Sequence, residues 1–165
     1  MKNLQGPIFR TGIGRTSFRF LPQDSAKLCV IGGIIFEGTP GFQDASDGDV
    51  VFHAMCQAIT SLIGTNVLDI AENLRIHEGI IDSEVYLKKG LELLGTQQIV
   101  HMAISLEAKK PRFKDRFTKM RSHIAKVLTI DKSQVGITAT SGHGLSDVGC
   151  GDGVDCMVIM TTREG

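Results

Sequence analysis

The chain has 165 residues, 18 basic and 18 acidic, and 42% of its residues are hydrophobic. This length suits one domain with its own core, so we expect a single domain over residues 1–165. The zero net charge and the lack of Trp argue against a nucleic-acid partner. No apolar run approaches the ~20 residues of a membrane helix, so no membrane partner is expected.

The four cysteines, Cys29, Cys56, Cys150 and Cys156, contain no C-x-x-C pair. This pattern predicts free, buried thiols in a reducing compartment rather than a structural zinc site. The opening residues 1–6 lack the long apolar stretch of a signal peptide. We therefore expect a cytoplasmic protein.

The first half of the chain predicts strands followed by helices. Residues 8–20 read as a first strand and its loop, and residues 29–31 and 34–36 as a short hairpin around Gly32-Gly33. Apolar residues at helical spacing predict a helix over residues 49–62. Residues 64–80 are ambiguous, and a second helix is expected from residue 82 to 94, before Gly95.

The second half predicts a strand, a helix and two further strands. Apolar and polar residues alternate over residues 100–107, as in a half-buried strand. An apolar stripe over residues 113–127 has helical spacing, and residues 135–139 and 154–161 are rich in β-branched side chains. The expected fold is α+β, a single-layer mixed β-sheet covered by helices on one face.

The run from Ser46 to His53 is the most informative segment. Ser46 or Asp47 can cap the helix that follows, and Asp49 and His53 lie four residues apart on one helical face. A carboxylate in that position can orient an imidazole as a metal ligand. On spacing alone, a capped helix with a half-buried histidine is favoured, because one histidine does not make a metal site.

Ser46-Asp47-Gly48-Asp49-Val50-x-x-His53-Ala54 resembles the first-helix signature of the methylerythritol cyclodiphosphate synthases of non-mevalonate isoprenoid synthesis. Further segments match the family in the same order, over about residues 9–162. These segments are Gly12–Gly14, Ile31–Ile34, Pro111, Met120-Arg121, Ala139-Thr140 and Gly149–Gly153. The resemblance implies the family's fold and a homotrimer with active sites between subunits.

The resemblance also implies a reaction. Members of this family close a ring between two phosphates of a cytidine diphosphate-linked sugar alcohol phosphate and release cytidine monophosphate. Zinc polarises the β-phosphate, and a second ion, magnesium or manganese, bridges the α- and β-phosphates. The expected ligand is accordingly a cytidine nucleotide or a diphosphate.

The metal positions depart from the family pattern. The family takes its zinc ligands from an Asp-x-His pair after the first strand and from the helix histidine, which is His53 here. Thr16 and Phe18 stand at the Asp and His positions, and His143 replaces the glutamate of the second metal. An imidazole is a poor ligand for magnesium, and a three-ligand zinc site is lost. Zinc binding is therefore doubtful. The alternative is a two-histidine site for a soft metal, if trimerisation brings His53 close to His143.

The substrate positions are better kept. The resemblance assigns nucleotide or phosphate contacts to Ser46 and to two segments, Ala108, Lys109, Lys110, Pro111, Arg112 and Phe113, and Ala139, Thr140 and Ser141. The alternatives are a solvated basic loop and ordinary turn chemistry for the hydroxyls. Arg15 and Arg19 either replace metal charge or belong to an exposed strand end.

Three interpretations stay open. The first is an active synthase with an unorthodox metal site. The second, favoured by the coordinated loss of ligands, is a relative with weak or no zinc-dependent activity that still binds a nucleotide or diphosphate. The third is a chain whose metal ligands were removed by design.

Overall fold

A computed structural model describes residues 6–165. The prediction of no signal peptide, made from residues 1–6, falls almost wholly outside this range. The elements in chain order are β1 (Ile8–Arg19), β2 (Leu28–Ile31), β3 (Ile34–Pro40), α1 (Val50–Ile63), α2 (Val67–Glu78), α3 (Ser83–Glu92), β4 (Gln98–Glu107), α4 (Phe117–Leu128), β5 (Val135–Thr140), α5 (Asp147–Cys150) and β6 (Gly153–Glu164). Within the described range, no helix has the length and apolar character that crossing a membrane requires.

Four strands form the main sheet, in the order β1-β6-β4-β5. Strands β4 and β5 are parallel, whereas β6 is antiparallel to both of its neighbours. Strands β2 and β3 form a separate antiparallel hairpin. The predicted mixed α+β fold is confirmed, with the hairpin standing apart from the sheet.

The helices cover one face of the sheet. Helix α1 packs against β1 and β6, and its backbone comes so close that a Cβ on Gly12 or Gly14 would overlap carbonyl oxygens of Ala58 or Ala54. Side chains on the opposite face stay exposed, including 54% of Ile13 and 38% of Ile159. Since strand side chains alternate between faces, this asymmetry confirms the one-sided cover.

The ambiguous segment is a regular helix, α2. Asn66 caps its start by accepting the Leu68 N–H, and Gly79 ends it in the left-handed conformation. Val67 and Ala71 are buried against the neighbouring helices. The cap residues were present in the sequence, but the apolar stripe between them is too sparse to show a clear period.

Other elements follow the predictions with small corrections. Helix α3 ends at Glu92, two residues early, and α4 begins at Phe117 because a short 3₁₀ turn precedes it. All four cysteines are free, as expected, but Cys150 is exposed rather than buried. It lies in the last turn of the short α5, away from the core.

Candidate functional site

Asp49 anchors the start of α1 and is fully buried. Its carboxylate accepts the N–H groups of Val51 and Phe52 and also those of Gly32 and Gly33 in the β2–β3 turn. Burial raises its pKa to about 6, although the glycine N–H bonds pull the pKa down. Asp49, and not Ser46 or Asp47, is therefore the helix cap, and it does not orient His53.

Ser46 holds the imidazole of His53. The Ser46 hydroxyl donates to Asp44 Oδ1 over 2.5 Å, and Ser46 Oγ lies 3.1 Å from His53 Nε2. The hydroxyl has one proton, which it gives to Asp44, so this network assigns the donor role and the proton to His53 Nε2. Burial lowers the pKa of His53, against the opposing influence of Asp44, so the ring favours its neutral form.

A cavity of about 320 Å³ opens beside this network, and we call it the metal-position cavity. It is lined by Thr16, Phe18, Asp44, Ala45, Ser46, His53, Leu68, Ala71, Glu72, Arg75 and Tyr86. The Phe18 and His53 rings meet edge to face, with centroids 5.1 Å apart. Strand β1 and helix α1 thus bring Thr16, Phe18 and His53 to one place.

The residues of this cavity do not fit a zinc ion. Phe18 lays an apolar ring against the imidazole, and Thr16 offers only a neutral hydroxyl. Ser46 already engages His53 Nε2. Among residues 6–165, no three His, Cys, Asp or Glu side chains lie close enough together to hold a metal ion.

Arg15 and Arg19 do not replace the metal charge in this cavity. Both alternate with Thr16 and Phe18 along β1, so they point to the opposite side of the strand. Arg15 pairs with Asp155 at 3.2 Å, and Arg19 pairs with Asp152 at 2.7 Å. The expectation of an ordinary exposed strand end is the correct one.

A second cavity, of about 340 Å³, joins the two predicted substrate segments, and we call it the basic-loop cavity. It is lined by Ala108, Lys109, Pro111, Arg112, Phe113, Lys114, Phe117, Ala139, Thr140 and Ser141. The parallel pairing of β4 with β5 brings the two segments together, because both strands end at the same sheet edge. Lys110 lies outside this cavity and lines a smaller one beside Arg19 and Asp152.

The hydroxyls of the basic-loop cavity also shape the turn after β5. Thr140 Oγ1 accepts the N–H of Gly142 at 3.3 Å, and Ser141 Oγ accepts that of His143 at 3.4 Å. These are the turn contacts that composition alone favours. Each hydroxyl keeps its proton free to donate to a ligand, so the turn role and the ligand role are compatible.

His143 is exposed in that turn, where its backbone φ is 50°. It lines neither cavity. A site that unites His143 with His53 is not formed within the described part of one chain.

Sequence reasoning missed the contribution of α2. Leu68, Ala71, Glu72 and Arg75 line the metal-position cavity from one face of this helix. The spacing i, i+3, i+4 and i+7 is the signal that could have revealed it. At the start of this helix, Asp69 accepts a hydrogen bond from the Asn66 amide at 2.7 Å.

Comparison with known proteins identifies the family. The profile of the YgbB family matches residues 9–163. The chain belongs to the YgbB family.

Close relatives carry one name. Two proteins named 2-C-methyl-D-erythritol 2,4-cyclodiphosphate synthase, from Chlamydia felis and Chlamydia caviae, are 48% and 49% identical to the chain. In both cases the match covers 95% of this chain and 90% of the relative. The match to these relatives therefore extends over almost the whole chain.

Solved structures of the same fold agree with the architecture. The IspF of Plasmodium falciparum in complex with CDP superposes with a TM-score of 0.80 at 22% identity, over 94% of this chain and 96% of that one. The bifunctional IspDF of Campylobacter jejuni gives a TM-score of 0.86 at 21% identity, over 97% of this chain and 43% of that one. At such identities the likeness shows the fold alone.

Proposed function

We propose that this YgbB-family chain binds the cytidine diphosphate part of its relatives' substrate class and has weak or no zinc-dependent synthase activity. The activity in question is the family reaction, in which a cytidine diphosphate-linked sugar alcohol phosphate cyclises and releases cytidine monophosphate. The observation that carries it is the packing of Phe18 against His53, where the family pattern places zinc ligands.

Nucleotide binding is supported by the basic-loop cavity. Lys109 and Arg112 line a space of about 340 Å³ together with Thr140 and Ser141. Guanidinium and ammonium groups suit phosphate oxygens, and hydroxyl donors at a strand end complete such a site. The rings of Phe113, which is buried, and Phe117, which is half-buried, stack nearly parallel, at 10°, and offer an apolar wall.

Weak zinc chemistry is supported by the metal-position cavity. A catalytic zinc needs three protein ligands and an open position, whereas this cavity offers one imidazole that is already held by Ser46. His143 stands at the position of the second metal's carboxylate, and a neutral imidazole suits magnesium or manganese poorly. Charge neutralisation in this chain then falls to its own cations.

A homotrimer is part of the proposal. The uncovered sheet face carries Ile13, Ala103 and Ile159 in one row, because Ile159 pairs with both of the other residues. Such an apolar face suits association with further copies of the chain. Sedimentation should give three times the 17.9 kDa chain mass, and Ile159→Lys should shift the protein towards monomer.

A fully active synthase is the second candidate, and the identity of 48–49% with proteins of that name favours it. Zinc content and turnover separate the two. Protein without a metal-binding tag would be equilibrated with zinc and magnesium, and cytidine monophosphate release assayed beside the Chlamydia felis relative. We expect substoichiometric zinc and turnover at least a hundredfold below that of the relative. One zinc per chain with equal turnover would overturn the proposal.

A further inference from the structure

We infer that Arg75 of helix α2 binds a phosphate group of the ligand in the metal-position cavity, where it supplies positive charge that no zinc site provides. The inference rests on the proposed function, and it adds a residue and a role to it.

The charge of the cavity singles out Arg75. Among its described lining residues Arg75 is the one side chain that is permanently cationic, whereas Asp44 and Glu72 are acids. Asp44 Oδ1 accepts both the N–H and the O–H of Ser46, but the carboxylate keeps its negative charge. Without Arg75 the cavity would repel a phosphate.

The guanidinium of Arg75 is available. Within residues 6–165 its nearest carboxylate is that of Glu72, 4.0 Å away, which is beyond hydrogen-bonding distance, and the Glu72 side chain is 64% exposed. Arginines on the far side of β1 are engaged instead, as shown by the 2.7 Å bond from Arg19 to Asp152. Arg75 thus keeps its five donors for a ligand.

Helix α2 holds Arg75 in place from both ends. The Val67 N–H at its start donates to Thr60 Oγ1 at 3.1 Å, and Gly79 closes its last turn by donating to the Arg75 carbonyl. A Cβ on Gly90 would come within 2.8 Å of Val67, so the glycine lets α3 approach α2 closely. A fixed helix reduces the ordering cost of binding a ligand.

The surroundings strengthen a phosphate contact. Phe18, Leu68 and Ala71 give the cavity that Arg75 lines an apolar wall, and a charge pair is stronger where water is partly excluded. The planar fork of the guanidinium matches two oxygens of one phosphate. The geometry thus joins, within residues 6–165, one guanidinium that makes no hydrogen bond and an apolar wall in one cavity.

The test measures inorganic pyrophosphate binding to the full chain in EDTA, by calorimetry and by the ring NMR signals of His53, assigned with His53→Gln. Arg75→Gln should weaken the binding that perturbs His53 by roughly ten- to a hundredfold. The pyrophosphate affinity of Arg75→Lys should lie between those of the wild type and Arg75→Gln, because lysine keeps the charge but lacks the planar fork. Glu72→Gln should strengthen binding, because it removes an opposing charge. Lys89→Gln, the same charge change on exposed α3, should match the wild type.

The outcomes separate this inference from the proposed function. Equal pyrophosphate affinity in the wild type and Arg75→Gln, with cytidine diphosphate still bound, would overturn the role of Arg75 alone. Absence of pyrophosphate binding near His53 in the wild type would overturn it as well. Loss of cytidine diphosphate binding with an Arg75-dependent pyrophosphate site would overturn the nucleotide proposal and leave this inference standing.

Discussion

The two cavities of this chain differ in how far their polar groups are satisfied. In the metal-position cavity, Asp44, Ser46 and His53 bond to one another and Phe18 closes on the imidazole. In the basic-loop cavity, Lys109 and Arg112 are exposed cations beside free hydroxyl protons. A site whose candidate metal ligands satisfy one another has less capacity for a metal ion, whereas cations without a carboxylate partner favour an anionic ligand.

Restoring the zinc ligands should have the largest effect. Thr16→Asp with Phe18→His places a carboxylate and an imidazole beside His53, and three ligands suit zinc. Zinc affinity should rise at least a hundredfold, since even changes outside the ligand set cost about ten- to a hundredfold. Metal content and competition with a chromophoric chelator would measure it.

The matched control is Arg15→Asp with Ser17→His, which places the same residue types on the other side of β1. It should leave zinc affinity near His53 unchanged. If both double variants gained zinc equally, or neither did, the assignment of Thr16 and Phe18 to the ligand positions would be wrong.

Removing the anchor of α1 tests how rigid the metal-position cavity is. In Asp49→Asn one carboxylate oxygen becomes an NH₂ group, which leaves a buried backbone N–H without an acceptor. Unfolding free energy should fall by about 1–3 kcal/mol, or about 2–4 °C in Tm for each kcal/mol. Denaturant and thermal unfolding would measure it.

Asp82→Asn is the control for that change. Asp82 caps α3 through one N–H, that of Glu84, and Asn caps a helix as well as Asp does. Its stability should stay within about 0.5 kcal/mol of wild type. Equal losses in the two variants would show that Asp49 is an ordinary cap and not an anchor between the hairpin and α1.

Neutralising the basic-loop cavity should weaken nucleotide binding. Arg112→Gln should reduce affinity for cytidine diphosphate about tenfold or more, because it removes a charge-assisted contact to phosphate. Calorimetry would compare it with Lys132→Gln, an exposed cation outside the cavity. Unchanged affinity in Arg112→Gln would favour a solvated basic loop.

The smallest effect concerns Glu84 of α3, whose carboxylate links this helix to α4 through His123. Its carboxylate contacts His123 of α4 at 2.8 Å and Lys88 at 2.6 Å. Burial raises the pKa of Glu84, but the bonds to Lys88 and His123 outweigh burial and leave the pKa below its usual value. The bridge should contribute about 0.5–1 kcal/mol.

A depressed carboxyl pKa gives a defined pH dependence. The extra stability is fully present above the unfolded-state pKa of about 4.5 and is lost as pH falls through the folded-state pKa. The stability difference between wild type and Glu84→Gln should therefore shrink below pH 4.5. A difference that stays constant with pH would refute the assignment, and Glu92→Gln, an exposed pair, should show little of either effect.

Local sequence signals predicted most of the fold. Alternation placed β4 and helical spacing placed α1, because these elements bury regular apolar faces, and start and stop signals placed α3. Helix α2 was not predicted, because its stability depends on the packing of Val67 and Ala71 against neighbouring helices. No local pattern reports such a fit.

The site was partly predictable for a similar reason. Resemblance to a family brought Thr16, Phe18 and His53 together, and the register of β1 against α1 does place them in one cavity. Arg75 lies far from them in sequence on a helix that was not predicted, so the spacing it shares with Leu68 and Ala71 was not connected to this cavity. The four-residue spacing predicted that Asp49 orients His53. In the folded chain, the Asp49 carboxylate instead accepts the N–H groups of Gly32 and Gly33 in the hairpin turn.

The most direct test is a zinc-edge anomalous map from crystals grown with zinc and cytidine diphosphate. We expect nucleotide density between residues 108–113 and 139–141 and no anomalous peak between Phe18 and His53. A full-occupancy zinc peak on His53, with Phe18 displaced from the imidazole, would contradict this expectation.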